Sequence, residues 1–243
     1  MIEDLDGIVI SEKNYSETSK IINVFTKEHG IIGILAKGAK SIKSPLRSVT
    51  TKLTYGTFTV YYKNDKLSTL KEVSIINNLN NIKKNINSIS FASYLVELAC
   101  QVYKENSSKD IYNYLISGLI KINDGFDPFV ITNIIELKYL EYLGVLPVID
   151  RCAVCGSQDN IVTLSSDNGG YLCSKCHQDE PLISDKSIKL IRMYYYVDID
   201  KIDKLEIKDQ YKFEVNNFLN LYYERYTGLY LKSKSFLNSI IGC

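Results

Sequence analysis

The sequence predicts an α+β multidomain chain: an N-terminal five-stranded β-barrel, then a helical domain interrupted by a small four-cysteine ribbon. Three observations lead there. Five short β-branched and aromatic runs crowd residues 5 to 80. From Asn85 the apolar residues recur at helical spacing instead. Cys152-Ala-Val-Cys155 and Cys173-Ser-Lys-Cys176 then form two tight turns spaced to bring four thiolates around one metal ion.

The bulk numbers set limits. At 243 residues and 45% hydrophobic content, the chain has room for one large domain or two to three small ones. A formal net charge of +1 rules out a uniformly basic surface, so any polyanion must be met by local segregation of charge. No apolar run reaches the ~18 residues a transmembrane helix needs, and Met1-Ile-Glu-Asp-Leu-Asp lacks the apolar stretch of a signal peptide. A soluble cytoplasmic chain with reduced thiols is the expectation.

In chain order, the β runs are Gly7–Ile10 and Ile21–Phe25, joined by the polar segment Ser11–Glu17. Ile31–Ala36 follows a turn at His29-Gly30, and Leu53–Tyr62 and Leu67–Ile76 flank Asn64-Asp65. Five strands in this length point to an oligonucleotide-binding (OB) barrel, with an SH3-like barrel as the alternative. The acids Glu3, Asp4 and Asp6 read as a solvated end.

Between Glu28 and Asp65 no acid occurs, while Lys37, Lys40, Lys43, Arg47, Lys52 and Lys63 do. Most of these cations fall on Lys37–Arg47, whose Gly, Ser and Pro mark it as a loop. Such a loop suits phosphate, because each cation displaces a condensed counterion without reading base identity; a solvated loop that is basic by chance is the bland alternative. Tyr55, Phe58, Tyr61 and Tyr62 have the chemistry to stack on bases, but strand aromatics more often pack in a core.

The first helix carries Ile89, Ala92, Leu95, Val96, Ala99, Val102 and Tyr103 after an Asn87/Ser88 cap. The second carries Ile111, Leu115, Ile116, Leu119 and Ile122. Asp127-Pro128 opens a third, which Gly144 and Pro147 end. These three are expected to pack as a bundle. Ser184–Ile188 opens another helix, and Ile207, Tyr211, Val215, Phe218, Leu219 and Tyr222 give the longest stripe. Past Glu224 the acids stop and Arg225, Lys232 and Lys234 form a second, smaller basic patch, which is expected to contact DNA along with the loop cations. The boundaries read as 1–80 for the barrel, 81–149 and 181–243 for the helical domain, and 150–180 for the ribbon.

Within the ribbon, Gly156 sits where a knuckle needs positive φ, Ile161–Leu164 is a strand, and Asp167–Gly170 is a turn. Disulfides, a redox dithiol and four unrelated core thiols compete with zinc. Reduced thiols argue against the first and the second Cys-x-x-Cys pair against the next. Four cysteines leave no open coordination position, so one structural zinc is the expectation and His177 is not needed as a ligand. Cys100 reads as a small core residue; Cys243 is left over.

Bond-making catalysis is not expected. The two histidines, His29 and His177, have no serine–acid partners, and neither a phosphate-cradling nor a dinucleotide glycine loop follows any strand.

The order of barrel, helical domain, inserted ribbon and cationic C-terminal segment resembles the bacterial RecO family of recombination mediators. Glu12–Lys20, Phe25–Gly30, Ala36–Lys40, Leu53–Gly56, Tyr222–Gly228 and Lys232–Phe236 are the stretches that carry the similarity. The resemblance implies binding of single- and double-stranded DNA, strand annealing, and loading of RecA onto strands coated by single-strand-binding protein, together with RecR. It also implies docking of that protein's acidic C-terminal tail, and a cytoplasmic, nucleoid-associated place. Lys37, Lys40 and Arg47 match the family's basic barrel loop, with Lys43 inside it and Lys52 beyond; Cys152, Cys155, Cys173 and Cys176 match its zinc ribbon. Neither a membrane nor a small-molecule substrate is implied. The alternative is a zinc-ribbon adaptor of transcription or translation whose basic loop contacts RNA or an acidic partner; a zinc-stabilised nuclease subunit is a third possibility.

Overall fold

The computed structural model describes residues 1–241; Cys243 lies outside the described residues. The chain forms two compact units that divide between Leu119 and Ile120.

In the first unit, β1 (Ile2–Asn14), β2 (Lys20–Thr26), β3 (Gly30–Ala36), β4 (Tyr55–Tyr61) and β5 (Ser68–Asn77) close a barrel in the order β1-β2-β3-β5-β4. β3 and β5 pair in parallel at Ile34↔Ser68 and Leu35↔Thr69. This Greek-key closure is that of an OB-like barrel, not the SH3-like alternative. Alternate residues point inward, so Leu5, Val9, Ile22, Val24, Ile34, Phe58, Val60 and Leu70 make the barrel core. Gly7 and Gly56 face each other where β1 meets β4. A Cβ on Gly7 would stand 2.6 Å from Val24 Cγ1, and one on Gly56 2.5 Å from the Ser74 carbonyl, so bare backbone is what lets the strands curl this tightly.

Two expectations change here. Ser11–Asn14 belong to β1, paired with Lys20–Asn23 past a register shift after Val9. The extension is exposed, so it carries no apolar alternation for sequence reading to find. The N-terminal acids are also not a solvated end, because β1 already begins at Ile2 and pairs with β4. Asp4 and Asp6 accept hydrogen bonds from Thr59 and Thr57 at 2.6 and 2.7 Å, and Glu3 Oε2 lies 2.8 Å from His29 Nε2.

After the short α1 (Leu46–Val49) and α2 (Asn80–Lys84) comes α3 (Ile86–Glu105). Its cap is Asn85, whose extended backbone aims Oδ1 at the Ser88 N–H, 3.0 Å away; Asn87 and Ser88 already lie in the first turn. Phe25 from β2 meets Tyr103 and Tyr112 edge-on at 4.9 and 5.4 Å, which packs helical residues onto the barrel. α4 (Lys109–Asn123) carries the chain into the second unit.

That unit is built on α5 (Pro128–Tyr142), capped by Asp127, whose Oδ1 accepts from the Phe129 N–H at 2.9 Å. Every residue from Phe129 to Leu140 is buried, so α5 has no solvent face. Two of its polar side chains find partners inside the unit: Lys138 Nζ donates to the Tyr195 carbonyl at 2.7 Å, and Asn133 Nδ2 to the Lys212 carbonyl at 3.3 Å. The partners come from α6 (Asp185–Tyr196), which Ser184 caps as expected, and α7 (Asp209–Tyr226). α8 (Lys232–Ile241), which buries Leu237, is a helix where the sequence shows only a cationic segment. β6 (Ile161–Ser165) and β7 (Gly170–Cys173) form the ribbon hairpin.

Candidate nucleic-acid interface and metal centre

Two tight turns build the metal centre. The Cys152 N–H donates to the Ser157 carbonyl at 2.7 Å and the Gly156 N–H back to the Cys152 carbonyl at 2.9 Å, with Gly156 at φ +74° as the knuckle requires. In the second turn, the Cys176 and His177 N–H groups both donate to the Cys173 carbonyl, at 3.0 and 2.9 Å. The β6–β7 ladder sets Cys173 opposite Ile161. All four sulfurs then lie within 4.8 Å of one another, with Cys155 and Cys173 Sγ 3.6 Å apart. That is far beyond a disulfide bond of ~2.05 Å and close to the roughly 3.8 Å edge of a four-thiolate tetrahedron.

The electrostatics agree with a cation-binding donor set. Burial opposes ionisation of Cys152, yet backbone hydrogen bonds from Cys155, Cys173 and Val154 together outweigh it and bring the thiol down to about 6. Cys173 is lowered too, against burial, by the amides of Lys175 and Cys176. Cys176 is instead pushed up to about 12, first by its hydrogen bond with Cys155 and then by burial. Four thiolates cannot sit side by side unneutralised, and a divalent ion removes that conflict. These four cysteines can therefore hold a metal ion. His177 is occupied elsewhere, its Nε2 2.6 Å from the Glu180 carbonyl.

The ribbon is fastened to α6, to α7 and to the segment that leads into α6. The Tyr171 hydroxyl donates to the Ile188 carbonyl of α6, Thr163 Oγ1 donates to Pro181 O at 2.5 Å, and Asp167 is ion-paired with Arg225 of α7.

The basic loop lies between β3 and β4. Ala39 and Leu53 are buried and Leu46 packs on the barrel core, which pins the loop from inside. Lys37, Lys43, Arg47 and Lys52 are left exposed, and none of them makes an ion pair among the described residues. Lys40 is half-buried and works as a tether: its Nζ donates to the Ser16 carbonyl at 2.9 Å and its N–H to the Thr18 carbonyl at 2.9 Å. The Gly38 N–H adds a bond to Ser19 Oγ at 3.3 Å. The β1–β2 turn and the basic loop thus form one surface at one end of the barrel. Lys13 adds an exposed cation and Glu17 an exposed acid to it; Glu12 is paired with the buried Lys20 at 2.6 Å.

Both halves of the chain match family models: "Recombination protein O N terminal" over residues 1–79 and "Recombination protein O C terminal" over residues 83–235. Among curated proteins, it is 34% identical to the DNA repair protein RecO of Bacillus subtilis (strain 168), covering 99% of this chain and 95% of that protein. The DNA repair protein RecO of Listeria monocytogenes serotype 4b (strain CLIP80459) is 33% identical over 98% of this chain and 95% of its own length. The chain belongs to the RecO family. Its role accordingly lies in DNA repair and recombination.

The structure places the remaining RecO-family candidate residues differently from the loop. Arg225 is engaged by Asp167, and Lys234 Nζ lies 2.9 Å from Glu136 Oε1, a carboxylate only 1% exposed; Lys232 is exposed at the start of α8. These cations do not share a surface of unpaired charge as Lys37, Lys43, Arg47 and Lys52 do. Of the aromatics, Phe58 is core, Tyr55 is half-buried, Tyr62 stacks on His29 at 4.2 Å, and Tyr61 is 48% exposed. Sequence reading passed over Tyr15, 62% exposed in the β1–β2 turn. Cys100 is half-buried on α3, its thiol raised to about 12 mainly by burial.

A groove of about 840 Å³ runs between the ribbon and α7. Leu182, Phe218 and Leu221 give it apolar walls, while Asp167, Asp179, Glu180 and Glu214 are its charged lining residues. Among the described residues, no helix is long and apolar enough to cross a membrane.

Proposed function

We propose that this chain is a recombination mediator without bond-making catalysis. It binds single- and double-stranded DNA through Lys37, Lys40, Lys43, Arg47 and Lys52, anneals complementary strands, and, with RecR, helps load RecA onto strands coated by single-strand-binding protein. The observation that carries this reading is the set of exposed, unpaired cations on an acid-free loop at one end of an OB-like barrel, in a RecO-family chain. Annealing of this kind needs no general acid or base. Cations that hold two polyanions together raise their local concentration, and release of condensed counterions drives the binding.

The metal in this reading is a single structural zinc on Cys152, Cys155, Cys173 and Cys176. When bound, it neutralises the thiolates and holds a hairpin too small to bury a core of its own. The partner's acidic tail would dock away from the groove beside the ribbon, whose carboxylates would repel it. The chain would work on DNA in the cytoplasm, at the nucleoid.

The test is annealing of two complementary oligonucleotides precoated with cognate single-strand-binding protein, followed by fluorescence at moderate salt without nucleotide. Acceleration by this protein is the expected result. Binding to bare strands with no acceleration would overturn the mediator reading and favour an adaptor.

A further inference from the structure

We propose that Tyr15 is a stacking platform for an unpaired base, so that this end of the barrel selects single strands over duplex. The inference rests on the DNA-binding reading of the basic loop and supplies what that reading lacks, a contact to something other than phosphate.

The backbone that carries Tyr15 is fixed. The Tyr15 and Ser16 N–H groups donate to the Ser19 carbonyl at 3.1 and 3.2 Å, and the Ser19 N–H donates to Ser16 Oγ at 3.2 Å, which closes the turn on itself. Three further bonds fasten that turn to the basic loop: Lys40 Nζ to Ser16 O, Lys40 N–H to Thr18 O, and Gly38 N–H to Ser19 Oγ. Little backbone freedom is then left to lose when a ligand settles on the ring.

The ring itself is available. It is 62% exposed, and no hydrogen bond or ring contact engages the side chain among the described residues. Four other aromatics of the barrel are either committed or remote. Phe25 is held between Tyr103 and Tyr112, Phe58 is in the core, and Tyr62 lies on His29. Tyr61 is opposite Ile2, at the far end of the β1–β4 ladder from this turn. Tyr15 is therefore the exposed ring standing beside the cations that would hold a sugar–phosphate backbone.

Geometry of this kind discriminates between nucleic acids. Lysines and arginines hold phosphate in single strands and duplex alike, whereas a ring can stack only on a base whose face is open. In duplex those faces are covered by neighbouring base pairs. Phosphate contacts and stacking also separate experimentally, because an uncharged ring adds affinity without releasing counterions.

The chain contains no tryptophan, so Tyr15→Trp introduces a single indole reporter at the site. Its fluorescence is expected to be quenched by oligo(dT) and left unchanged by inorganic polyphosphate, which has the charge but no bases. Tyr15→Ala is expected to weaken oligo(dT) binding about 10-fold with an unaltered salt slope and unaltered duplex affinity, and Tyr15→Phe to restore it. An indole indifferent to oligo(dT), or equally quenched by polyphosphate, would overturn the proposal, as would equal losses for single strand and duplex in Tyr15→Ala. If oligo(dT) binds with a steep salt slope but ignores Tyr15, the loop reading survives and this one fails. If oligo(dT) does not bind at all, both fail.

Discussion

Glu136, in the middle of the fully buried α5, meets Lys234, in the first turn of α8, at 2.9 Å. The pair links positions 98 residues apart and gives the C-terminal basic segment a structural task. Lys234→Met should leave a buried carboxylate without its cation and destabilise the chain by about 3 kcal/mol in urea unfolding. Glu136→Leu combined with Lys234→Met should recover most of that loss. The salt dependence of DNA binding should not change in either variant; a flatter slope in Lys234→Met would instead place this lysine on DNA.

Lys37, Lys43 and Arg47 are exposed and unpaired, so changing all three to Ala should leave the thermal unfolding midpoint in place. The log–log salt slope for single-strand binding should become shallower by about 2, at roughly 0.7 per lost phosphate contact. Lys40→Ala should behave differently. It removes a charge and also frees the Ser16 turn, so its affinity loss should exceed what one charge accounts for. Fluorescence anisotropy titrations at several salt concentrations measure both effects.

Replacing Cys152, Cys155, Cys173 or Cys176 singly by Ser should reduce bound metal from about one ion per chain to a small fraction, read by elemental analysis. Removal of the ion with a strong chelator should lower the unfolding midpoint of the wild-type chain, and zinc should restore it. Full metal content in Cys152→Ser would refute the four-thiolate assignment. Affinity for bare DNA should change by less than about twofold, since the loop cations do not depend on the ribbon.

Glu214 is held below the usual carboxylate range. Burial raises its pKa, but hydrogen bonds from Ser187, Gln210 and Ser184 together outweigh this. A depressed folded-state pKa contributes stability above the unfolded value of about 4.3, and that contribution is lost as pH falls through the lower folded value. Glu180 follows the same direction, burial again opposed by backbone hydrogen bonds and by His177. Thermal melts should therefore show the midpoint falling on acidification below about pH 4.3. In Glu214→Gln that fall should be smaller, from a lower starting point at neutral pH.

Much of the fold is legible in the sequence because its signals are local. Cys-x-x-Cys spacing, Gly156, Asp127-Pro128 and Ser184 each declare their geometry within a few residues, and each stands where the spacing puts it. What escapes is set by distant partners. Ser11–Asn14 become strand only through pairing with Lys20–Asn23, and Asp4 and Asp6 are recruited by Thr59 and Thr57 across the barrel. The loop cations could be found from an acid-free window, but not that Lys40 would be a tether. Arg225 and Lys234 share that window's chemistry, and only the fold reveals the acids that meet them. Tyr15 carried no signal at all, because exposure of one ring in a polar turn has no sequence pattern.

The all-round burial of α5 also has a consequence during synthesis. The ribosome releases this helix before any of α6, α7 or α8 exists, and α8 begins ~90 residues further on, which is on the order of 5–20 s of translation. Throughout that interval, a twelve-residue segment with apolar positions on every side has no finished cover. The nascent second unit thus passes through a sticky stage, and fragments that stop at the ribbon should collect in inclusion bodies while the whole chain stays in solution. Soluble yield of such truncations, set beside that of the intact protein, reads this directly.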